Sequence, residues 1–163
     1  MSESDKQKPA GKRRKFLVVA DGTAESEIAI HFASLRARHT NGMVTLLAAL
    51  NPEADTKGQW LGVQNIMREE ARAQAEATLH KLAAHVNEYA GIIPELVIRE
   101  GQLADELQKF IDEDPDVAIL VLAAGTGKEG PGPLVTLTAG GGFRIPVTVV
   151  PGVLTEEALR ALA

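Results

Sequence analysis

The chain has 163 residues, 45% of them hydrophobic and only 4% aromatic, with a formal net charge of −5 and no cysteine. That length allows one sizeable core, since single domains cluster at roughly 100 to 150 residues, and the core must be aliphatic. The acidic balance argues against nucleic-acid binding, the lack of thiols excludes disulfides and zinc–thiolate sites, and no apolar run approaches the ~20 residues of a membrane helix. No hydrophobic centre of a signal peptide stands near the N-terminus, so a cytoplasmic location is expected.

Residues 1–14 are polar, and Lys12, Arg13, Arg14 and Lys15 form a basic cluster ahead of the first apolar run. A disordered, solubilising tail is expected there, in preference to a nucleic-acid or membrane contact. Lys15 to Ala20 reads as a first strand ending in Asp21-Gly22-Thr23. Thr23 suits the N-cap of a helix whose inner face is Ile28, Phe32 and Leu35 and which stops at Asn41-Gly42. Met43 to Leu50 is a second buried strand, closed by Pro52. The loop 53–62 carries Trp60, which suits a cover for a crevice, a dimer contact or a cap on the core equally well.

A long amphipathic helix follows, with Val63, Ile66, Met67, Ala71, Ala75, Leu79, Leu82 and Val86 on one face and Gly91 at its end. Glu95 to Arg99 is a short third strand, and the helix from Leu103 to Asp112 must stop before Pro115. Val117 to Ala123 is apolar without interruption, as in a central parallel strand buried on both faces. Beyond it Gly125, Gly127, Gly130 and Gly132 alternate with small or polar residues, leaving backbone that a ligand or another segment can approach closely.

Leu134 to Ala139 makes only a weak helix, because Val135, Thr136 and Thr138 are β-branched and Gly140 to Gly142 follow. Pro146 to Val150 is a fifth strand, Pro151-Gly152 ends it, and Thr155 caps a terminal helix reaching Ala163. The chain thus divides into a tail, 1–14, one α/β domain, 15–152, and a C-terminal helical segment, 153–163. Strands alternating with helices imply a doubly wound, all-parallel sheet with right-handed crossovers. If the first and fourth strands are neighbours with their helices on opposite faces, the loops after both open onto one crevice at a topological switch point.

These residues resemble the universal stress protein family over about 15–152. The likeness lies in Phe16-Leu17-Val18-Val19-Ala20-Asp21-Gly22-Thr23 with Ser26 and Ala29, in Val97-Ile98-Arg99-Glu100-Gly101, and in the glycine loop leading to Ile145-Pro146-Val147-Thr148-Val149-Val150. The resemblance implies a five-stranded sheet ordered 3-2-1-4-5, a homodimer pairing through the final strand (146–150), and, in one branch of the family, an ATP or AMP site, with Mg only where it accompanies ATP. Gly127, Gly130 and Gly140 match the glycine spacing of the family's nucleotide motif, while Gly141 stands at its hydroxyl position. Asp21 matches the acidic residue that contacts the nucleoside.

Apart from the family, successive glycine amides can form a concave nest for an anion, and Lys128 adds a full positive charge, while Glu129 opposes it. The site expected on these grounds comprises Asp21, Gly22, Thr23, Gly125, Gly127, Lys128, Gly130, Gly140 and Gly141. A tight connection packed for its own sake accounts for the loop as well, and a residue favouring the helix dipole accounts for Asp21. The literal GxGxxG at Gly125 to Gly130 lacks the later acidic residue of a dinucleotide fold, and Pro131-Gly132 replaces the Lys-Ser/Thr of a P-loop. His31, His39, His80 and His85 lack metal-ligand spacing, and no serine lies on a nucleophile elbow. Three readings follow: a nucleotide-binding stress or signalling module, a dimer of the same type that works through contacts with an unidentified protein partner, and an enzyme on a related adenine-nucleotide fold. The first is preferred, with no catalytic role beyond slow ATP turnover.

Overall fold

The computed structural model describes residues 13–51, 61–127, 130, 132–139 and 142–163. Most of the tail, Trp60, Lys128, Gly140 and Gly141 therefore lie outside the described residues. Five apolar runs form the strands β1 (Lys15–Val19), β2 (Met43–Leu50), β3 (Glu95–Glu100), β4 (Val117–Ala124) and β5 (Val147–Pro151). They make one sheet ordered β3-β2-β1-β4-β5, parallel throughout, as expected from the alternation and the resemblance. Val18 stands beside Leu46 on one side and Val121 on the other. Lys15 pairs with Val117 and Phe16 with Ile119, so Ala118 is the extra residue of a bulge.

The period of two in β1 divides the interior between two layers. Phe16, Val18 and Ala20 face a core shared with α1 (Ala24–Thr40), α2 (Leu61–Ala90) and α5 (Glu156–Leu162). Leu17 and Val19 face a second core, closed by α3 (Leu103–Glu113) and α4 (Pro133–Ala139). Helices thus cover both faces, and those leaving β1 and β4 lie on opposite ones.

Local chemistry sets the limits of α1. Thr23 Oγ1 accepts from the Ser26 amide at 3.1 Å, Glu25 and Glu27 occupy the first turn, and Arg38 and His39 the last. Asn41 ends the helix in the left-handed region with φ 55°, and a Cβ on Gly42 would stand 2.9 Å from the Arg14 carbonyl oxygen. His31, one of the four histidines expected on a helix surface or in the core, is buried and stacked on Tyr89 with ring centroids 3.8 Å apart. His85 Nδ1 lies 3.3 Å from Glu27 Oε1 but lacks hydrogen-bond alignment.

Two expectations change. The apolar face of α2 is used only in its second half: Leu79, Leu82 and Val86 are buried, but Ile66 is 57% exposed and Ala71 is also exposed. A helix of 30 residues is ~45 Å long at 1.5 Å per residue. The eight-residue β2 spans ~26 Å, so the first turns of α2 run past the sheet. The weak helix near Leu134 does form, starting one residue earlier at Pro133, whose fixed φ suits a first helical position. No helix among the described residues is long and apolar enough to cross a membrane.

Candidate functional site

Because α1 leaves β1 on one face and α4 follows β4 on the other, the carboxyl ends of these neighbouring strands part over a cleft of about 1130 Å³. Val18 and Val121 contribute from the strands. Asp21, Thr23 and Ser26 form one wall, and Gly125, Gly127, Gly130 and Gly132 line the other with Leu134 and Val135 of α4 beyond them. Asp21, Thr23, Gly125, Gly127 and Gly130 of the expected site are therefore brought together. Gly22 instead supplies the turn between Asp21 and Thr23, with φ +78°, and is not on the cleft wall.

The acidic wall is fixed by its own hydrogen bonds. Asp21 Oδ1 accepts from the Thr23 amide at 2.9 Å and from Thr23 Oγ1 at 2.7 Å. Ser26 Oγ donates to the Val19 carbonyl at 2.7 Å, joining the first turn of α1 to the end of β1. Asp21 is thus both the acceptor of a tight turn ahead of α1 and a carboxylate on the cleft.

The glycine wall separates structural from functional reasons for glycine. Gly130 has φ +88° and Gly132 φ +103°, so each needs glycine for its backbone alone. Gly127 has no such φ, and a Cβ built on it would meet nothing within 4 Å. Neither backbone strain nor crowding within the described chain calls for glycine at 127, which is exposed and lines the cleft. The Gly130 amide turns back to the Gly127 carbonyl at 3.3 Å, and Thr136 Oγ1 donates to the Gly132 carbonyl at 2.9 Å, so part of the loop's polar capacity is already used internally.

The residues lining the cleft among those described include the carboxylates Asp21 and Glu25 and no lysine or arginine. No group of histidines and carboxylates among the described residues can hold a metal ion.

A second groove, about 320 Å³, lies on the β2 side of Asp21, against Ala48, Leu50, Ala75 and Thr78. Val19, Asp21 and Leu103 border both spaces. Leu103 was not singled out from the sequence. The signal available was Gly101, which ends β3 with φ +144° and starts a third loop at the same end of the sheet. Glu25 and the α4 side chains also went unremarked, because their place on the cleft depends on where two helices pack.

The fold and this cleft define an α/β protein with a crevice at the switch point of a 3-2-1-4-5 sheet. The sequence profile described as the Universal stress protein family matches residues 12–132, and the chain belongs to that family. No curated protein matches it in sequence. Among solved structures, the universal stress protein UspA from Lactobacillus plantarum is similar at 16% identity and a TM-score of 0.72, over 85% of this chain and 97% of that one. A universal stress protein in complex with cAMP is similar at 18% identity and 0.65, over 86% and 98%. The universal stress protein from Archaeoglobus fulgidus in complex with dAMP is similar at 21% identity and 0.61, over 84% and 97%. At such identities the likeness shows the fold.

Proposed function

We propose that this protein is a nucleotide-binding stress or signalling module, with ATP or AMP in the cleft, the nucleoside near Asp21 and the phosphates against the loop amides from Gly125 to Gly130. The observation that carries the reading is Gly127, an exposed glycine on the cleft wall with no conformational or packing reason of its own among the described residues. The relatives solved with cAMP and dAMP suggest the adenine nucleotide as ligand class. The apolar groove beside Asp21 suits a base, as ligand sites are mostly apolar with a few placed polar groups. Binding rather than turnover is the proposed activity. Calorimetric titration with ATP and with AMP tests it. Heat of binding is expected in the wild type and its loss in Gly127→Val, at an unchanged melting temperature. No heat in the wild type eliminates the nucleotide reading.

A second reading, a dimer of the same family that works through protein contacts without nucleotide, is favoured by the cleft's two carboxylates and the absence of a cation among its described lining residues. Both readings include a homodimer through β5. This edge strand carries Val149, 40% exposed, and borders a hollow lined by Thr138, Phe143, Ile145 and Val147. An apolar sheet edge of this kind is expected to be covered by its counterpart in a second chain. Light scattering should give twice the chain mass. A monomer at tens of micromolar, a rough working range for weak homodimers, counts against it.

A further inference from the structure

Pro151, the last residue of β5, pairs with Ala124 at the end of β4, and Gly152 follows it. A Cβ on Gly152 would overlap the Ala124 carbonyl oxygen and stand 2.9 Å from the Thr126 methyl. That neighbour is closer than any at Gly22, Gly42, Gly101 or Gly142, and the backbone of Gly152 is not in the left-handed region. Glycine is required here by space alone, and the space lies directly against the stretch that opens into Gly125 and Gly127 on the cleft wall.

The chain beyond Gly152 is anchored firmly. The Leu154 amide closes a turn on the Pro151 carbonyl at 3.2 Å, Thr155 Oγ1 caps α5 by accepting from the Ala158 amide at 3.2 Å, and Leu159 is buried in the core shared with α1. At the far end of α5, Arg36 Nη1 donates to the Ala163 carbonyl oxygen at 3.3 Å, and His39 Nδ1 lies 2.9 Å from it. The joint between β5 and α5 is thus held by α1, whose first turn carries Thr23 and Ser26 on the opposite wall of the cleft.

We infer that the Pro151–Gly152 turn is the positioning element of the ligand loop: it seats Ala124 to Thr126 so that Gly125 and Gly127 face the cleft, and it couples occupancy of the cleft to the joint between β5 and α5. The inference rests on the nucleotide reading above. A loop whose amides must meet a ligand is sensitive to misplacement by an ångström, and a Cβ at 152 cannot be accommodated without a shift of the Ala124 carbonyl. Coupling of this kind is reciprocal, so a ligand that fixes the loop also quiets the joint.

Two measurements with ATP on the full chain test it. Hydrogen exchange of the wild type at saturating ATP should slow in residues 150–158 beyond any change in residues 109–116, which lie at the other end of the sheet. Gly152→Ala should bind ATP about tenfold more weakly, roughly the loss of one amide hydrogen bond to a charged phosphate. Val86→Ala, a cavity variant in the core under α2, should lower the melting temperature and leave the affinity unchanged, which separates positioning from general loss of stability. Unaltered exchange in 150–158, or full affinity in folded Gly152→Ala, overturns the inference while leaving the nucleotide reading standing. A wild type that binds neither ATP nor AMP overturns both, and if AMP alone binds, the same two measurements are made with AMP. If Gly152→Ala does not fold, the exchange comparison decides alone.

Discussion

The two ends of the sheet are built on opposite principles. At the amino end, Lys15 Nζ lies 2.6 Å from Asp114 Oδ2 and 3.2 Å from Glu95 Oε2, and Glu95 Oε1 accepts from Thr45 Oγ1 at 3.1 Å. One cation joins β1 to β3 and to the turn before β4, and Thr45 brings in β2. At the carboxyl end the charged pair described, Arg72 with Glu100 at 3.5 Å, lies at the β3 edge, and the loops after β1 and β4 meet across a cleft walled by glycines and without a cation among its described lining residues. The contrast is between an amino end closed at its centre by one half-buried cation and its carboxylates and a carboxyl end where, at the centre, glycine backbone lines a cleft.

The largest expected effect breaks the closed end. Lys15→Met leaves two partly buried carboxylates without their cation. Because those carboxylates keep some solvent, the cost should be about 2 kcal/mol, less than for a fully buried pair. Urea unfolding at constant m checks this, and ATP affinity of the folded variant should be unchanged.

The same cluster sets a pH window. Burial acts to raise Asp114, but the hydrogen bond from Lys15, the bond from the Asp116 amide and the charge of Lys15 outweigh it, so its carboxyl is held below the ordinary 3.8. Its contribution is present above that value and is lost as pH falls through the lower folded value. Burial acts to lower Lys15, but hydrogen bonds to Asp114 and Glu95 and their charges prevail, so it titrates above 10.5. That contribution is present below 10.5 and is lost as pH rises through the higher folded value. Lys15→Met should flatten both limbs of the stability profile.

Smaller effects sharpen the open end. Thr23→Ala removes the α1 cap and one of the two donors to Asp21 Oδ1, and should cost about 1 kcal/mol in thermal unfolding. Unlike Lys15→Met, it should also weaken ATP binding, because Asp21 keeps only the backbone amide of residue 23 to hold it. In the glycine wall, Gly130→Ala forces a side chain onto φ +88° and should cost roughly 1 kcal/mol. Gly127→Ala, with neither strain nor neighbour, should stay within ~0.5 kcal/mol. Equal losses at 127 and 130 in melting experiments would erase the distinction drawn between them.

Much of the fold was legible because its local signals agree. Unbroken apolar runs marked the central strands, Thr23 and Thr155 were read as caps and accept the corresponding amides, and Asn41-Gly42 stops α1 as its chemistry requires. Where the reading slipped, the missing information was a length or a partner. The apolar face of α2 is continuous in sequence, yet nothing in its spacing says that the sheet beneath it ends near Ala75. Lys15 looked like the last member of a basic cluster, because its partners lie 80 and 99 residues away.

The cleft divides in the same way. By itself the sequence determined that a turn-forming Asp21-Gly22-Thr23 follows one strand and a glycine run another, since turn chemistry and backbone freedom are properties of neighbouring residues. Only the tertiary structure decided that Gly130 and Gly132 need their glycine for a positive φ while Gly127 does not, and that Gly152 presses on Ala124. Those facts depend on the crossing of chain segments remote in sequence, and they are fixed by how two helical layers pack on the two faces of a single sheet.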